Sequence, residues 1–421
     1  MFDTLNNSTS PGNPHDPGNP GSSRNPGNPG NPVEPFTADL APEDFVRAAM
    51  HWHFSPATGS PYWVKRAAEL DFDPLTDVRT WDDLDLFPDV SEDWRDIPVD
   101  ALVPAGIGRS GWDFQVFDSG GTTGRPKRIV ESRSRRGGVL WVSEVLAEHG
   151  VPGEGDGHWL HLGPTGPHIV GRSIGLLAQL RSTFCHYIDF DPRWVKGSVR
   201  HGRKDEVARY VRHILAQAED VLSTQPVSVL FATPPVLEAL AADERLLDLV
   251  QRKVRGIIWA GTSVSPETLR VFEEEVFPQA AVVGLYGNTM MGIAPQRPRA
   301  DTRAAQAGQA PRAGQARQDA QAGPAAAPHR RPAAERCVFV PFHPFSRVRV
   351  VDPEHTRTSV GYGERGQARI SLVSRDLLLP WTLERDAVLR VEPTAGYRQD
   401  GLADIRPLTV DGGQVAVEGV Y

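Results

Sequence analysis

The sequence predicts an α/β fold, built on a largely parallel sheet with helices on both faces and followed by a smaller antiparallel β lobe. Three short hydrophobic strands alternate with helical segments, at Ser228–Thr233, Gly256–Ala260 and Ala280–Leu285. Continuous apolar strands alternating with helices are typical of parallel sheets that are buried on both faces. Beyond residue 336, alternating segments without helices between them predict antiparallel strands, arranged as a small barrel.

The first helix is predicted over Ala41–Phe54, because Pro42-Glu43-Asp44 is a favourable helix opening. Later helices are predicted over Gly138–His149, Ser173–Leu180 and Glu206–Leu222, and another begins at Pro234. The last predicted helix begins after an N-cap at Ser265, has Pro266 as its first residue and ends at Phe277. The remaining strands are predicted at Trp159–Pro164, Cys337–Phe342, Arg347–Val351, Gly361–Val373 and Ala387–Val391.

Composition restricts the function classes. The chain has 421 residues, 39% of them hydrophobic, and a formal net charge of −8. It can bury a large core, and its charge gives no reason to expect nucleic acid. No apolar stretch is long enough to span a bilayer, and no signal peptide is evident. Cys185 and Cys337 lack metal-type spacing, so buried thiols in a reducing cytoplasm are expected.

Two compositionally biased segments divide the chain. Residues 1–36 are mostly Asn, Pro, Gly and Ser, and about 299–335 are mostly Ala, Gln, Arg, Pro and Gly. Both have too little apolar surface to fold alone, so a disordered tail and a disordered insertion are predicted. The Ala, Gln and Arg content of the insertion leaves transient helix open as an alternative. The structured domain is then 37–400. Residues 401–421 follow it as a terminal segment, which is expected to contain a hairpin around Val410–Gly413.

The most informative motif is the loop Asp118–Lys127, which lies between the apolar segments Phe114–Phe117 and Ile129-Val130. Its glycines let backbone N–H groups converge on an anion, while hydroxyl groups and a lysine add donors and positive charge. These features predict a strand, a polyphosphate loop and a second strand. The candidate ligands are Ser119, Gly120, Gly121, Thr122, Thr123, Gly124 and Lys127. The alternative is a glycine-rich hairpin turn with an incidental lysine, and a Walker loop is excluded because no helix opens at Gly-Lys-Ser/Thr.

The order Ser-Gly-Gly-Thr-Thr-Gly-Arg-Pro-Lys resembles the signature loop of the ANL superfamily of adenylating enzymes, which includes acyl-CoA synthetases, peptide-synthetase adenylation domains and luciferases. The resemblance covers residues 40–406 and implies a large domain of two parallel-sheet α/β lobes plus a small β-barrel lobe. It also implies that this loop holds the β- and γ-phosphates of ATP while a carboxylate attacks the α-phosphorus. The products would be an acyl-adenylate and pyrophosphate.

Two further motifs follow buried strands, where ligands of parallel sheets gather. Gly261-Thr262-Ser263 resembles the family's segment along one adenine face. Tyr286-Gly287-Asn288-Thr289 resembles its Tyr-Gly-x-Thr-Glu motif, in which the tyrosine stacks on adenine and the threonine contacts the α-phosphate. Without the resemblance, a tyrosine at a strand end is usually the rim of a core.

One position departs from the family. Met290 stands where the family has a glutamate that binds Mg²⁺. A thioether is a poor ligand for a hard cation. Either Mg²⁺ arrives bound to ATP and water, or the chemistry is impaired.

Three more residues are assigned by resemblance. Leu383-Glu384-Arg385-Asp386 resembles the motif whose aspartate binds both ribose hydroxyls; alternatively, Asp386 forms a turn. Arg398 belongs to a segment resembling the family's hinge, where Asp404 replaces the usual lysine. His168, in the turn after Trp159–Pro164, is the candidate to contact the acyl substrate, with a locally hydrogen-bonded histidine as the alternative.

Only 21 residues follow Asp400, which predicts that the family's mobile C-terminal domain and its catalytic lysine are absent. This shortened pattern resembles the phenazine-antibiotic (griseoluteic acid) biosynthesis group. The expected function is ATP-dependent adenylation of an aryl or phenazine carboxylic acid, with Lys127, Thr289 and His168 as catalytic residues. The alternatives are a degenerate binding module and a half-enzyme completed in trans. A carrier protein, a separate C-terminal domain and a second copy remain open as partners, while no nucleic acid or membrane is expected.

Overall fold

The computed structural model describes residues 37, 39–108, 114–119, 125–132, 136–261, 263–299, 337–394 and 396–408. The α-helices are α1 (Pro42–Phe54), α2 (Pro61–Arg66), α3 (Pro74–Asp77), α4 (Arg136–Glu148), α5 (Ile169–Leu180), α6 (Pro192–Arg200), α7 (Lys204–Thr224), α8 (Pro234–Ala241), α9 (Glu244–Lys253) and α10 (Pro266–Val271). Short 3₁₀ helices lie at Ala67–Glu69, Asp83–Leu86, Asp93–Arg95, Val99–Leu102 and Ala105–Ile107, and a π-helical turn lies at Phe272–Val276.

The strands are β1 (Gln115–Asp118), β2 (Arg128–Glu131), β3 (His158–Gly163), β4 (Cys185–Asp189), β5 (Val227–Ala232), β6 (Gly256–Trp259), β7 (Ala281–Asn288), β8 (Gly292–Pro295), β9 (Val338–Phe339), β10 (Ser346–Val351), β11 (Arg365–Val373), β12 (Leu378–Val391) and β13 (Gly401–Pro407). The mixed α/β class is confirmed. The predicted tail, nearly all of the predicted insertion and the terminal hairpin lie outside the described residues.

The central sheet has six strands in the order β4-β3-β5-β6-β7-β8. Its first five strands are parallel, and β8 pairs antiparallel with β7 through a tight hairpin. Helices cover both faces, as predicted. On one face α7, α8 and α9 contribute to a core with Leu160, Leu230 and Ile257, and on the other α4 and α5 pack on Trp159 and Ile258. The carboxyl ends of the parallel strands therefore share one edge of the sheet.

The second sheet has five antiparallel strands in the order β10-β11-β12-β13-β9, which confirms the predicted antiparallel lobe. Its pairing contains an irregularity beside Asp386. Gln367 pairs with Ala387 and Arg369 pairs with Leu383, so β12 carries two extra residues between these pairs. The Gln367 side-chain amide fills the gap by donating to the Glu384 carbonyl at 2.7 Å. Bulges of this kind redirect side chains and are common beside functional sites.

The segment before the β1–β2 hairpin packs on the antiparallel sheet. The indole of Trp63, which is 2% exposed, donates to the Leu378 carbonyl at 3.1 Å. The indole of Trp52 donates to the Arg375 carbonyl at 2.9 Å. The tryptophan-rich stretch is therefore a structural layer that packs on the start of β12. None of the described helices is both long and apolar enough to cross a membrane.

Candidate functional site

Asp118, the last residue of β1, joins the β1–β2 hairpin to the carboxyl edge of the central sheet. Its N–H donates to the carbonyl of Pro167, in the turn after β3, at 2.9 Å. Its carbonyl accepts from the Thr289 hydroxyl, just after β7, at 3.0 Å. Its carboxylate accepts from Arg193, on α6 after β4, at 3.0 Å. Three loops of the sheet edge thus fix the start of the predicted phosphate loop.

Ser119 and Lys127 close the neck of that loop. The Ser119 N–H donates to the Lys127 carbonyl, and the Lys127 N–H donates to the Ser119 hydroxyl, both at 2.9 Å. The predicted ligands Gly120, Gly121, Thr122, Thr123 and Gly124 lie outside the described residues. The strand–loop–strand arrangement is nevertheless present, since β1 and β2 pair antiparallel from Gln115–Glu131 to Asp118–Arg128.

The Lys127 ammonium group contacts a segment that sequence reasoning gave no role. It donates to the Ser91 hydroxyl at 2.6 Å and forms an ion pair with Glu92 at 3.0 Å. A hydrogen bond from Arg95, and then one from Lys127, lower the pKa of Glu92 to about 2. The Lys127 side chain is only 14% exposed. No sequence signal marks Ser91-Glu92, because its contact with Lys127 arises only through the fold.

Beyond the neck, the guanidinium of Arg125 contacts the carboxylate of Asp96, and Arg95 donates to the Arg125 carbonyl. The same short segment therefore holds both Arg125 and Lys127, at the second end of the loop.

Tyr286 and Asp386 meet where the two large sheets approach each other. The tyrosine hydroxyl donates to the Asp386 carboxylate at 2.8 Å. Tyr286 is 9% exposed, and its ring lies 6.1 Å from that of Phe339. Burial raises the pKa of Asp386, and the Tyr286 hydrogen bond and the charge of Arg385 oppose that rise. Asp386 is a strand residue on the β12 bulge, and not the turn residue of the alternative interpretation.

Glu384 is a second acid on the same bulge, to which the sequence analysis assigned no role. Burial raises the pKa of Glu384 to about 7, and the negative charge of Asp386 adds to this rise. Lys127 and Arg385 act in the opposite direction. Glu384 therefore lies within electrostatic range of both the phosphate-loop lysine and the predicted ribose aspartate. The only feature of the sequence that could have identified Glu384 as a site residue is its position two residues before Asp386.

The β7–β8 hairpin explains the rest of the tyrosine motif. A Cβ at Gly287 would overlap the Gly292 carbonyl oxygen, so the close approach of the two strands requires glycine. The Asn288 side-chain oxygen accepts from the backbone N–H groups of Met290 and Met291 at 2.9 and 2.8 Å, which fixes the turn. The Asn288 amide nitrogen is buried without a hydrogen-bond partner among the described residues.

The position of Met290 suits packing and does not suit ion binding. It is 3% exposed and belongs to an apolar cluster that includes Trp94, Ile129 and Leu379. Met290 is thus part of the core between the N-terminal segment, β2 and β12.

Gly261 and His168 also lie at the carboxyl edge. Gly261, the second residue after β6, has φ 97°, a conformation that favours glycine, while Thr262 lies outside the described residues. His168 precedes α5 and is half-buried. Burial and the nearby charge of Arg193 lower its pKa, and the acidic neighbours include Asp118. His168 is therefore close to the residues that hold the neck of the loop.

Arg398 is not brought to Tyr286 and Asp386. It lies in the exposed connection between β12 and β13, beyond the Val391–Gly401 pair, whereas Asp386 is at the other end of this ladder. Asp386 and Val391 are five positions apart along the strand, which corresponds to about 17 Å. The charge of Arg398 instead acts on His343. Asp404, at the hinge position, has φ 53° and pairs with Arg365 at 2.6 Å.

The described residues fit a nucleoside triphosphate better than they fit a metal ion of the protein's own. Three segments contribute side chains: the residue before β2 (Lys127), the end of β7 (Tyr286 and Thr289) and β12 (Asp386). These side chains offer hydrogen-bond donors and a positive charge, an aromatic ring and a carboxylate acceptor, which are the kinds of group that suit phosphate, a base and ribose. No group of three or more His, Cys, Asp or Glu side chains suited to a metal occurs among the described residues, and Met290 offers no oxygen.

Neither a protein-family model nor a curated protein matches the chain. Solved structures do match. An open conformation of 2-hydroxyisobutyryl-CoA ligase in complex with 2-HIB-AMP and CoA aligns with a TM-score of 0.56 and 13% identity, over 87% of this chain and 69% of that chain. The ligase in the postadenylation state with R3-HIB-AMP aligns with a TM-score of 0.53 and 12% identity, over 86% and 66% of the two chains.

A further match is ATP-bound MatB from Rhodopseudomonas palustris, with a TM-score of 0.41 and 16% identity, over 68% of this chain. The chain spans about half of that protein's length, 47%. The alignments with 2-hydroxyisobutyryl-CoA ligase cover most of both chains. The chain therefore shares the fold of that ligase over most of its length.

Proposed function

We propose that the protein activates a carboxylic acid with ATP, forming an acyl-adenylate and pyrophosphate. The observation that carries the proposal is the Asp118 junction, which places the neck of the phosphate loop against Thr289, at the end of the strand that carries Tyr286. Tyr286 in turn bonds Asp386 at 2.8 Å. Candidate phosphate, adenine and ribose contacts are thereby arranged along one edge of the sheet, the usual position of ligands in parallel α/β folds.

Each residue has a specific role in this proposal. Lys127 provides positive charge to the β- and γ-phosphates, and Thr289 donates to the α-phosphate once its bond to Asp118 is exchanged. Tyr286 stacks on adenine, and Asp386 accepts hydrogen bonds from the ribose hydroxyls. Charge that grows on the phosphate oxygens during attack is stabilised by donors already in place, which is the main catalytic contribution in such reactions.

The acid is proposed to be aromatic, with a phenazine carboxylic acid as the first candidate. Support comes from the resemblance of the shortened sequence pattern to the phenazine-antibiotic group. His168 supports it physically, because burial and the charge of Arg193 lower its pKa, which favours the uncharged imidazole, and because its aromatic ring lies near Asp118.

The test is acid-dependent exchange of radiolabelled pyrophosphate into ATP, with a panel of phenazine, benzoic and short aliphatic acids. Exchange with an aryl acid in the wild-type protein and its loss in Lys127→Ala are expected. Exchange with only aliphatic acids would refute the proposal that the acid is aromatic but would still support adenylation.

A second candidate is a module that binds a nucleotide or adenylate without completing the reaction. The burial of Met290 favours it, because an apolar core residue occupies the position of a Mg²⁺ ligand. ATP binding without exchange for any acid would support this second function. Exchange that appears only after a separately expressed C-terminal domain is added would support a half-enzyme completed in trans.

A further inference from the structure

The helix α6 carries three basic residues on one face. Arg193, Lys196 and Arg200 follow each other at intervals of three and four positions, a spacing that places side chains on the same side of an α-helix. Since α6 begins soon after β4 ends, it lies at the carboxyl edge of the central sheet, as the candidate nucleotide residues do. Arg193 donates to the Asp118 carboxylate at 3.0 Å. This contact fixes the basic face of α6 at the neck of the phosphate loop.

Lys196 is the buried member of this face. The residue is 8% exposed, whereas Arg193 and Arg200 are exposed. Burial, and then the positive charges of Arg385 and Arg200, lower the pKa of Lys196 to about 8. Lysine is rarely buried to this extent, because the removal of water from an ammonium group is costly. An anion bound beside Lys196 would favour its charged form and would offset the repulsion from the two arginines.

Arg385 connects Lys196 with the β12 bulge. It precedes Asp386 in the sequence, and its charge acts to lower the pKa of Asp386, Glu384 and Lys196. The guanidinium group is thus within electrostatic range of α6 and of both acids on the bulge. Lys196 is therefore linked to the candidate ribose acceptor through Arg385, and to the Asp118 junction through its own helix.

These two links correspond to the order of groups in ATP. The proposed contact with the β- and γ-phosphates is Lys127, beside the Asp118 junction, and the proposed contact with ribose is Asp386. The α-phosphate joins these two parts of the nucleotide. An ammonium group is a compact positive charge with three donors, which suits a phosphate oxygen.

We propose that Lys196 is a further nucleotide-binding residue, whose ammonium group contacts the α-phosphate of ATP. The role rests on the proposed adenylation. In that reaction a carboxylate oxygen of the acid forms a bond to the α-phosphorus, while the bond from this phosphorus to the α,β-bridging oxygen breaks and its electron pair leaves with pyrophosphate. Lys196 keeps its proton and stabilises the negative charge on the α-phosphate oxygens during the exchange.

The experiment compares the affinities of the full chain for ATP, AMP and adenosine in wild type, Lys196→Gln, Lys196→Arg and the control Lys204→Gln. Lys204 is exposed at the start of α7. Lys196→Gln should weaken ATP and AMP binding at least about tenfold and leave adenosine binding unchanged, because only the phosphate contact is lost. Lys196→Arg keeps the charge and should lose less, and the control should match wild type. Unchanged AMP affinity in folded Lys196→Gln, or equal losses for AMP and adenosine, would overturn the proposal.

Lys127→Ala separates this role from the function on which it rests. Because Lys127 is assigned to the β- and γ-phosphates, its loss should weaken ATP binding and leave AMP binding nearly unchanged. Absence of ATP binding in wild type would refute the proposed function and the role of Lys196 with it. ATP binding that depends on Lys127 but not on Lys196 would overturn only the role of Lys196.

A second measurement covers the case in which Lys196→Gln fails to fold. The chain contains five lysines, so NMR spectra of wild-type protein labelled with ¹³C-lysine should resolve their side-chain signals. The Lys196 signal is assigned by its absence from Lys196→Arg. AMP should shift this signal and adenosine should leave it in place, whereas equal shifts with both ligands, or none with AMP, would overturn the proposal.

Discussion

The hydroxyl of Tyr286 donates to the carboxylate of Asp386 at 2.8 Å, across the junction between the parallel and the antiparallel sheet. The two residues are a hundred positions apart in the sequence and belong to different sheets. Their contact makes the position of the candidate ribose acceptor depend on the strand that carries the candidate adenine platform. Loss of either side chain should therefore affect the other.

Replacement of Tyr286 separates stacking from hydrogen bonding. Tyr286→Phe keeps the ring and should weaken ATP binding by less than about threefold, whereas Tyr286→Ala should weaken it by about tenfold or more. Tyr286→Phe should also destabilise the fold by about 1 kcal/mol, because it leaves a partly buried carboxylate oxygen without its donor. Binding titrations and thermal unfolding of both variants provide the measurements. Equal ATP affinities for the two variants would contradict the stacking role.

Glu384 should make stability fall as pH rises through neutrality. Its pKa is raised from 4.5 to about 7 in the folded chain. A raised pKa means that the fold favours the protonated form, so this contribution is complete below pH 4.5 and is lost as pH rises through 7. Glu384→Gln cannot ionise, and it should remove about 1–3 kcal/mol of the stability difference between those pH values. Denaturant unfolding of both proteins across this range is the measurement, and parallel curves would contradict the assignment.

Glu92 should compete with ATP for Lys127. The ion pair, at 3.0 Å, occupies the ammonium group that the proposal assigns to phosphate. Because Glu92 is 65% exposed, the pair contributes at most about 1 kcal/mol, and Glu92→Gln should tighten ATP binding by up to about fivefold. The control is Glu43→Gln, which removes an exposed pair with Arg47 on α1. Weaker binding in Glu92→Gln would show instead that Glu92 assists the nucleotide.

Met290 is expected to be required for packing and not for ion binding. Met290→Leu keeps the volume and should cost less than about 1.5 kcal/mol. Met290→Glu places an unpaired carboxylate in an apolar cluster and should cost about 3 kcal/mol or more. Melting temperatures test the two values, and Mg²⁺ dependence of ATP binding tests the role. A stable Met290→Glu protein that binds ATP more tightly with Mg²⁺ would show that this position does face the phosphates.

Much of the fold follows from local sequence pattern. Ile257, Ile258 and their counterparts in the neighbouring strands form continuous apolar runs, and these predict buried parallel strands because only a doubly covered sheet buries both faces. Capping predicts the start of α10, where the Ser265 hydroxyl accepts from the Thr268 N–H at 3.1 Å. The end of β7 is harder to predict from the sequence, because Tyr286–Asn288 continue the strand only through pairing with β8.

The site was predictable in its local parts and not in its long-range contacts. The β1–β2 hairpin, and Tyr286 at the end of β7, follow from nearby sequence. The bonds of Lys127 to Ser91 and of Tyr286 to Asp386 join distant segments, and neither leaves a periodic signal. Arg398 is the opposite case. Its motif match predicted a nucleotide-binding residue, but the β12–β13 ladder places Arg398 at the end that is remote from Asp386. The role of each site residue stays a prediction until binding is measured.

The Ser119–Lys127 loop is proposed to bind the phosphates of ATP. The most direct test is the ATP affinity of wild type, Lys127→Ala and the control Lys204→Ala, with Lys204 exposed at the start of α7. Each variant is first checked for wild-type thermal unfolding. The proposal predicts micromolar to millimolar binding in wild type and the control, and no measurable binding in Lys127→Ala. Unchanged affinity in a folded Lys127→Ala protein would contradict the assignment of the loop.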